Sequence, residues 1–411
     1  MNEQLKCGLL GEKLGHSYSP QIHAALADYE YLLYEKAPDE VESFVRGGGW
    51  NGLNVTIPYK KTVIPFCDEV SDLARDIGSV NTLLRRPDGT IFGDNTDACG
   101  FETMLGRTGF QPEGKKVLVL GTGGASATVC AVLKRLGAEV ITISRSGENN
   151  YQNLYLHRDA AAVVNTTPLG MFPNNGKKAL NLRELPLLEA VLDVVYNPAR
   201  TALMLQAEEL GIPTAGGLTM LVAQGKRAAE IFLGRNLPDA LTDKILADLS
   251  FSMQNIILIG MPGSGKSTIA GLLAEKLGRT LVEADSEIEK AAGKSIPQIF
   301  SEEGEDGFRR HETAILEQFG KQSGIVLSTG GGCVTREENY PLLHQNGTIV
   351  RITRDLTKLA REGRPLSLNA DLQKMAEQRE PFYSAFADIT VSNDGTPEET
   401  AATILAALCQ P

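Results

Sequence analysis

The sequence lacks the features of a membrane or exported protein. Its 411 residues contain no run of about 18 uncharged apolar residues, and Met1–Gln4 do not form a basic segment leading into an apolar one. The six cysteines show no C-x-x-C pair and no paired spacing with histidine, which excludes a cysteine-based zinc site and a disulfide framework. We therefore expect a cytoplasmic protein with reduced thiols and no membrane partner.

An excess of positive charge is also missing. The formal net charge is −11, and both residues 1–250 and the remainder are acidic. A protein without a basic field is not expected to bind nucleic acid. Any anionic ligand must instead be held by local cations or backbone amides.

The order of predicted elements indicates several α/β domains. The length exceeds what one hydrophobic core usually supports. Short β-branched runs alternate with amphipathic stretches, which predicts parallel sheets covered by helices. A periodic stretch, 238–249, ends before a short linker and a new strand at Ile256, and a second boundary is expected near residue 100.

The first glycine-rich loop suits a dinucleotide. It follows the apolar strand 116–120 and opens an alanine-rich helix, and its residues are Gly121, Thr122, Gly123, Gly124 and Ala125. The next strand ends in Ser144-Arg145, where NAD-preferring sites carry an acidic residue, so we favour NADP. The alternatives are a simple tight turn and a solvated Arg145.

Polar clusters precede this loop. Lys60 lies in Asn-Val-Thr-Ile-Pro-Tyr-Lys, and Asp97 ends Gly-Asp-Asn-Thr-Asp. Such an ammonium and carboxylate form a candidate proton-handling pair for a small hydroxylated acid. By spacing alone, turns and helix caps are equally good interpretations.

A second loop, Gly260–Ser267, has the pattern G-x-x-x-x-G-K-[ST] between a strand and a helix. Backbone amides of such a loop cradle ATP phosphates, Lys266 neutralises the β and γ oxygens, and Ser267 is the expected Mg²⁺ ligand. Downstream arginines and an aspartate suit a small hydroxylated acid as phosphate acceptor, although each arginine alone is more typical of a surface ion pair.

Residues 5–250 resemble shikimate dehydrogenase. The motifs that carry the resemblance are, in order, His-Ser-x-Ser-Pro, Asn-Val-Thr-Ile-Pro-Tyr-Lys, Val-Asn-Thr, Gly-Asp-Asn-Thr-Asp, the glycine loop, Asn-Thr-Thr-Pro-Leu-Gly-Met, and Gly217–Gln224. The resemblance implies reversible NADPH-dependent reduction of 3-dehydroshikimate to shikimate.

The same resemblance implies residue roles. Ser17 and Ser19 would bind the substrate carboxylate, and its hydroxyls or edge would contact Thr56, Asn81, Tyr196 and Gln224. Lys60 would pass a proton to the C3 oxygen, with Asp97 orienting it. The NADP set is the glycine loop, Ser144, Arg145 and Gly217. This chain departs from the family in having Ser-Arg-Ser at the strand end and Asn165 only 20 positions after Arg145, so the cofactor domain is expected to be trimmed.

The second loop is followed by the motifs Glu283-Ala-Asp285, Gly307-Phe-Arg-Arg-His-Glu312, Ser328-Thr-Gly-Gly-Gly-Cys333, Gly363-Arg-Pro-Leu366 and Arg379-Glu-Pro-Phe-Tyr383. Together with that loop they make residues 254–411 resemble shikimate kinase. The resemblance implies that Asp285 contacts the accepting hydroxyl, that Arg309, Gly331 and Arg379 bind shikimate, and that the lid residue Arg364 closes over the phosphoryl group. The ATP set is Gly263, Ser264, Gly265, Lys266, Ser267, Thr268 and Arg364. Glu283 replaces an aspartate of the family, the lid is short, Arg361 receives no adenine-stacking role, and His311 is expected on a helix surface.

The two resemblances predict a bifunctional enzyme that uses NADP(H), ATP and Mg²⁺ on 3-dehydroshikimate and shikimate. The predicted fold class is α/β. Its predicted domains are a substrate domain (1–100, with helices returning at 222–250), a Rossmann NADP domain (101–221) and a nucleoside-monophosphate-kinase-like P-loop domain (254–411). The alternatives are a first part that prefers quinate or NAD, and a non-catalytic first part that regulates the kinase. The oligomeric state stays open.

Overall fold

A computed structural model describes residues 4–15, 17–359 and 372–408. The chain divides into two compact units. The first comprises Met1–Met171, Lys177–Tyr196 and Leu203–Leu246, and the second comprises Phe172–Gly176, Asn197–Ala202 and Ala247–Pro411. No helix in the described residues is long and apolar enough to span a membrane.

The first unit begins with a six-stranded mixed sheet in the order β2-β1-β3-β5-β6-β4. Its strands are β1 (Lys6–Gly11), β2 (Glu30–Glu35), β3 (Gly52–Val55), β4 (Glu69–Val70), β5 (Thr82–Arg85) and β6 (Ile91–Asp94). The accompanying helices are α1 (Ser19–Leu26), α2 (Val41–Gly47), α3 (Asp72–Ile77) and α4 (Asp97–Gly106). Strand β2 pairs with β1 in parallel and ends the sheet on that side.

The second sheet of this unit has five parallel strands in the order β11-β10-β9-β7-β8. They are β7 (Lys116–Leu120), β8 (Glu139–Ile143), β9 (Ala162–Asn165), β10 (Ala190–Asp193) and β11 (Thr214–Gly216). Its helices are α5 (Gly124–Arg135), α6 (Ala202–Glu209), α7 (Gly217–Leu233) and α8 (Ala240–Met253), and the ends of α6 and α8 extend into the second unit.

This sheet is one strand short of the six-stranded dinucleotide fold. In that fold a further strand pairs beyond the second strand. Here β8 is the last strand on its side, and the chain returns to β9 through a 3-10 turn, Leu154–His157. The short spacing between Arg145 and Asn165 is therefore seen in the structure as a missing strand and helix among the described residues.

The second unit contains a parallel sheet in the order β13-β14-β12-β15-β16. Its strands are β12 (Asn255–Ile259), β13 (Leu281–Glu283), β14 (Val326–Ser328), β15 (Gly347–Thr353) and β16 (Ile389–Ser392). Its helices are α9 (Lys266–Leu277), α10 (Ala284–Ala292), α11 (Ile296–Gly320), α12 (Asn339–His344), α13 (Leu372–Phe386) and α14 (Pro397–Leu408). The predicted α/β fold class is confirmed, and the three predicted domains each contain one sheet. The residue boundaries of those domains stay a prediction.

The linker after residue 249 was wrongly predicted, because α8 continues to Met253 and leaves one residue before β12. Arg279 explains the extra turn. Its guanidinium donates to the carbonyl oxygens of Phe251 and Gln254, at 2.5 and 2.7 Å, and lies 4.8 Å from the Phe251 ring centroid. A cation at a helix C-terminus satisfies carbonyls that have no partner inside the helix.

Candidate active sites

The centre of the first site is an ion pair between Lys60 and Asp97. Lys60 Nζ donates to Asp97 Oδ2 at 2.5 Å, and the two side chains are 24% and 13% exposed. Asp97 is the first residue of α4, where the helix dipole favours a carboxylate. The structure thus brings together the two residues that the sequence singled out for proton transfer and leaves them within reach of a ligand.

A buried polar network holds the neighbouring groups. Asn81 Oδ1 accepts hydrogen bonds from the Thr96 amide at 2.7 Å and from the Thr82 hydroxyl at 3.0 Å. Its backbone amide donates to the Asp94 carbonyl at 3.0 Å, whereas its side-chain nitrogen Nδ2 makes no hydrogen bond within the described residues. The Thr96 hydroxyl also donates to Gln224 Oε1 at 3.3 Å. Thr96 therefore orients two predicted substrate residues, Asn81 and Gln224. Asp97 is the next residue in the chain, so all three groups lie close together.

Helices α4 and α7 approach closely at this point. A Cβ on Gly100 would lie 2.6 Å from the Met220 carbonyl oxygen and 3.1 Å from Gln224 Cβ. Any side chain at position 100 would therefore push α7 away from α4 and displace Gln224. Gly100 is thus a steric requirement of the site that the sequence did not reveal.

The remaining predicted substrate residues lie at the ends of elements in the same unit. Ser17 Oγ accepts from the Ser19 amide at 3.2 Å, where α1 begins. The Thr56 amide donates to the Leu10 carbonyl directly after β3. The Tyr196 ring packs edge-to-face on Tyr18, with the ring centroids 6.0 Å apart, and burial raises the pKa of its hydroxyl. That hydroxyl therefore stays protonated and is able to donate a hydrogen bond.

The first glycine loop has room for a pyrophosphate. It links β7 to α5, whose first turn follows Gly123. A Cβ on Gly123 or Gly124 would meet no atom within 4 Å, so the backbone faces open space. Gly121 has φ +108 and donates to the Ile143 carbonyl at the end of β8. These residues fit NADP: helix amides and the glycine backbone would hold its pyrophosphate.

Arg145 and Ser144 follow β8, next to this loop. Arg145 is exposed, as a contact to a 2′-phosphate requires, and Ser144 is hydrogen-bonded through its amide to the Asn149 carbonyl. The backbone packing around Gly217, another predicted NADP residue, requires glycine at this position. A Cβ there would lie 2.0 Å from the Val194 carbonyl oxygen.

In the second unit the P-loop opens onto a cavity of about 280 Å³. The predicted residues that line it are Gly263, Gly265, Lys266, Ser267, Thr268, Asp285, Arg309, Gly331 and Arg379. Lys266 Nζ donates to the carbonyls of Gly260 and Met261, at 2.9 and 3.1 Å, which holds its charge over the loop. The residues predicted to bind phosphate and those predicted to bind the acceptor thus line one cavity.

Ser267 and Glu283 form the candidate Mg²⁺ site. The Ser267 hydroxyl donates to Glu283 Oε2 at 3.0 Å. A hydroxyl and one or two carboxylates are the usual protein contribution to a Mg²⁺ that also binds substrate phosphates. The Glu283 carboxylate, which stands where the resemblance expects an aspartate, thus lies within hydrogen-bond distance of the predicted Mg²⁺ ligand Ser267. Among the described residues no cluster of three or more His, Cys, Asp or Glu could hold a metal alone.

Arg309 is held by a buried carboxylate. Its Nη1 donates to Glu312 Oε2 at 2.6 Å, and Nη2 donates to Glu305 at 3.1 Å. Burial raises the pKa of the fully buried Glu312, and the Arg309 charge opposes that rise. Gly332 leaves space for the guanidinium, because a Cβ there would lie 2.0 Å from Arg309 Nη2. Arg309 is therefore positioned before substrate arrives.

Arg379 and Tyr383 both contact the glycine run of the predicted acceptor site. Arg379 Nη1 and the Tyr383 hydroxyl donate to the Gly331 carbonyl, at 3.1 and 2.5 Å. These two hydrogen bonds from α13 fix the orientation of the peptide group between Gly331 and Gly332. Tyr383 is buried, and its burial raises the pKa of the phenol.

Three further predicted residues have different placements. Ser264 has a buried hydroxyl with no hydrogen-bond partner among the described residues, its amide donates to the Met261 carbonyl, and it is not among the residues that line the cavity. Arg364 lies outside the described residues. His311 is on α11 beside Glu303, at 3.2 Å, as expected for a helix-surface residue.

The sequence did not identify the residues that hold the site residues in place. Thr96, Glu312 and Tyr383 lie inside the quoted motifs, but only their neighbours received roles. Their signal was their fixed spacing: Glu312 is one helical turn after Arg309, and Tyr383 is one turn after Arg379.

Comparison with known proteins covers both parts. A family model described as shikimate dehydrogenase substrate binding domain matches residues 9–83, and one described as shikimate kinase matches residues 262–409. A shikimate dehydrogenase (NADP(+)) from Clostridium perfringens is 36% identical over 264 residues, which are 59% of this chain and 97% of that protein.

Solved structures agree for the first part. A chorismate mutase/shikimate 5-dehydrogenase fusion protein from Clostridium acetobutylicum is 32% identical with a TM-score of 0.57, covering 60% of this chain and 97% of its own. Shikimate 5-dehydrogenase from Thermus thermophilus, in complex with NADP(H) and shikimate, is 28% identical with a TM-score of 0.55, covering 60% and 99%. This chain belongs to the shikimate dehydrogenase family and carries a shikimate kinase domain after it.

Proposed function

We propose that the chain is a bifunctional cytoplasmic enzyme, in which the first unit reduces 3-dehydroshikimate to shikimate and the second phosphorylates the 3-hydroxyl of shikimate. The contact between Lys60 and Asp97 carries the first assignment. The cavity shared by Lys266, Asp285 and Arg309 carries the second. The names of the relatives supply NADP and shikimate as ligands, and the kinase domain implies ATP and Mg²⁺.

In the reduction, this chain's residues bind the substrate and move one proton. Ser17 and Ser19 would hold the carboxylate, and Asn81 and Gln224 would hold the ring hydroxyls. NADPH supplies the hydride. Lys60 would stabilise negative charge on the C3 oxygen and donate its proton there, while Asp97 keeps the ammonium charged and aimed.

In the phosphorylation, the residues position two reactants and neutralise charge. Arg309 and Arg379 would bind the shikimate carboxylate, and Asp285 would accept the proton of the 3-hydroxyl. Lys266 would neutralise phosphate oxygens, and Ser267 with Glu283 would hold Mg²⁺, which would supply further positive charge to the phosphates. The product of the first reaction is the substrate of the second.

The preformed Lys60–Asp97 pair argues against a first unit that only senses ligand, because binding alone requires no proton donor. A coupled assay tests this on the purified full chain. With 3-dehydroshikimate, NADPH, ATP and Mg²⁺, loss of NADPH and formation of ADP are followed separately. We expect ADP to appear only after shikimate has formed.

Lys60→Ala provides the control. It is expected to abolish NADPH oxidation and to leave phosphorylation of added shikimate unchanged. NADPH oxidation that persists in this variant would refute the role of Lys60. A wild-type chain that phosphorylates shikimate but never oxidises NADPH would support a non-catalytic first unit. Oxidation assays that replace shikimate with quinate, or NADP⁺ with NAD⁺, test whether the first unit prefers either of these compounds.

A further inference from the structure

Two short segments from the first part of the sequence belong to the second compact unit. They are Phe172–Gly176 and Asn197–Ala202, and the residues between them and beside them belong to the first unit. The second of these segments directly follows Tyr196, a predicted substrate residue whose ring packs on Tyr18. The chain therefore passes from the first unit to the second at the peptide bond after Tyr196.

Within the second unit, Arg200 fastens the segment Asn197–Ala202 to the junction of α12 and β15, residues 344–347. Its Nη1 donates to the carbonyls of His344 and Gly347, at 2.6 and 3.2 Å. Its backbone amide donates to the Gln345 carbonyl at 2.9 Å. Because α12 ends at His344, Arg200 supplies the cation that a helix C-terminus favours.

The junction 344–347 is itself held firmly in the second unit. Asn346 is 4% exposed, and its Oδ1 accepts a hydrogen bond from the Ala199 amide at 2.8 Å. The Asn346 carbonyl accepts from the Asn255 amide at 2.8 Å, and Asn346 Nδ2 donates to the Lys321 carbonyl at 3.2 Å. A segment that is hydrogen-bonded to this junction is therefore fixed relative to the sheet of the second unit.

We propose that Arg200 is a positioning residue of the dehydrogenase reaction, although it belongs to the second unit. This inference rests on the proposed function, in which Tyr196 contacts the substrate. Arg200 comes only four residues after Tyr196, and Pro198 lies between them. Because the proline ring fixes one backbone angle, this short connection is stiff. By holding the segment on the junction 344–347, Arg200 sets the point from which the Tyr196 hydroxyl reaches shikimate.

The alternative role of Arg200 is that of a helix cap and nothing more. The two roles change different quantities. A cap stabilises the second unit, whereas a positioning residue also alters the binding of substrate in the first unit. The tests therefore measure substrate binding in the dehydrogenase reaction and not stability alone.

Steady-state kinetics of the full chain separate the two roles. The assay contains shikimate and NADP⁺ without ATP, so that only the dehydrogenase reaction proceeds. Arg200→Ala should raise KM for shikimate about 2- to 30-fold and leave KM for NADP⁺ unchanged, since the segment adjoins a predicted substrate residue. Arg200→Lys keeps a cation but loses the planar guanidinium, so it should raise KM for shikimate less.

Arg183→Ala is the matched control. Arg183 also forms an ion pair, with Glu209 at 2.6 Å, but it lies in the first unit and makes this contact at the surface. Its substitution should leave KM for shikimate unchanged. An equal rise in KM for shikimate in Arg183→Ala and Arg200→Ala would overturn the inference, because loss of any arginine would then have the same effect.

A double substitution tests whether the effect passes through Tyr196. Tyr196→Phe alone should raise KM for shikimate, because the proposed hydrogen bond to the substrate is lost. Adding Arg200→Ala should raise it no further, since the group that Arg200 positions is already absent. Effects of the two substitutions that multiply would show that Arg200 does not act through Tyr196.

Hydrogen exchange supplies a measurement that does not need dehydrogenase activity. Asn346→Ala removes the acceptor of the Ala199 amide and leaves Arg200 in place. In this variant and in Arg200→Ala, peptides covering residues 194–202 should exchange at least about tenfold faster than in the wild type. In Arg183→Ala they should exchange at the wild-type rate. Phosphorylation of added shikimate by each preparation confirms that the second unit is folded, and Arg200→Lys provides the comparison should Arg200→Ala not fold.

The outcomes distinguish this inference from the proposed function. A wild type that never reduces NADP⁺ would refute the proposed function and, with it, this role of Arg200. With an active wild type, unchanged exchange in both Arg200→Ala and Asn346→Ala would overturn only the inference about Arg200. Faster exchange with an unchanged KM for shikimate would overturn it as well, because the segment would then be held without affecting the substrate.

Discussion

The two glycine loops of this chain use the same local fold for different purposes. Each follows a buried central strand and opens a helix. The loop at Gly121 has open space at Gly123 and Gly124 and no cation of its own, and the cation predicted to serve it, Arg145, follows the next strand. The loop at Gly260 has three glycines with positive φ, wraps around Lys266 and is anchored by Asn393. Under the proposed function the first loop only has to hold a cofactor, whereas the second must also neutralise a phosphate that is transferred.

The largest expected effect comes from removing Lys266, because only the second loop contains a lysine. Lys266→Met should lower the rate of shikimate phosphorylation by about a thousandfold, because the developing charge loses its cation. NADPH oxidation by the same preparation should be unchanged. Steady-state assays of both reactions measure this. Parallel loss of both activities would mean that the two loops are not independent.

Arg145 tests the other half of the contrast. Arg145→Ala should raise KM for NADPH about 10- to 100-fold, since a charge-assisted hydrogen bond is lost, and should leave KM for NADH unchanged. Arg158→Ala removes an exposed arginine nearby in the sequence and serves as the matched control. Equal effects on both cofactors would show that Arg145 does not read the 2′-phosphate.

Alanine substitutions compare the strain in the two loops. At Gly265, φ is +97 and a Cβ would lie 2.3 Å from Asn393 Nδ2. Gly265→Ala should lower the free energy of unfolding of the second unit by about 1–3 kcal/mol. Gly124→Ala lies in open space at the start of α5 and should not destabilise the first unit. It should instead raise KM for NADPH, because its Cβ occupies the approach to the pyrophosphate. Equilibrium unfolding in denaturant measures the stability of both variants. Steady-state kinetics measures KM for NADPH.

The smallest expected effect is a difference between the two units in how their free energy of unfolding depends on pH. Burial lowers the pKa of His23, on α1, to about 3. Below the ordinary histidine pKa of about 6.5 the unfolded chain takes up a proton that folded His23 refuses, so stability falls as pH decreases. Between pH 7 and 6 this loss is below about 1 kcal/mol in the first unit.

The second unit should not share this loss. Although burial raises the pKa of Asp388, its hydrogen bonds with His344 and the Ile349 amide lower it overall, so its contribution is lost only at pH values below the ordinary aspartate range. Calorimetry at the two pH values should show the first unit's transition moving more. His23→Gln should remove that difference, whereas the surface variant His311→Gln should not.

The sequence predicted the glycine loops with their strands and helices, because those features depend on local patterns of glycine and apolar periodicity. The pairing of Lys60 with Asp97 was predicted from the family resemblance, since spacing alone left turns and helix caps as equally good interpretations. It could not predict the supports of the site. Thr96 and Gln224 are far apart in the chain and meet only because Gly100 lets α4 approach α7. The extra turn of α8 was missed for the same reason, since the cation that caps it, Arg279, comes from a later segment.

The absent strand beside β8 has a consequence for engineering. The pyrophosphate loop is carried by β7 and α5, so the fold of this site does not require the missing strand. Residues 145–148 are exposed and follow the unpaired edge of β8 directly. A grafted helix and strand of about 30 residues at Gly147 would meet that edge through an ordinary right-handed crossover. We therefore expect that the part of the cofactor domain beside β8 can be replaced without changing β7, α5 or the glycine loop between them.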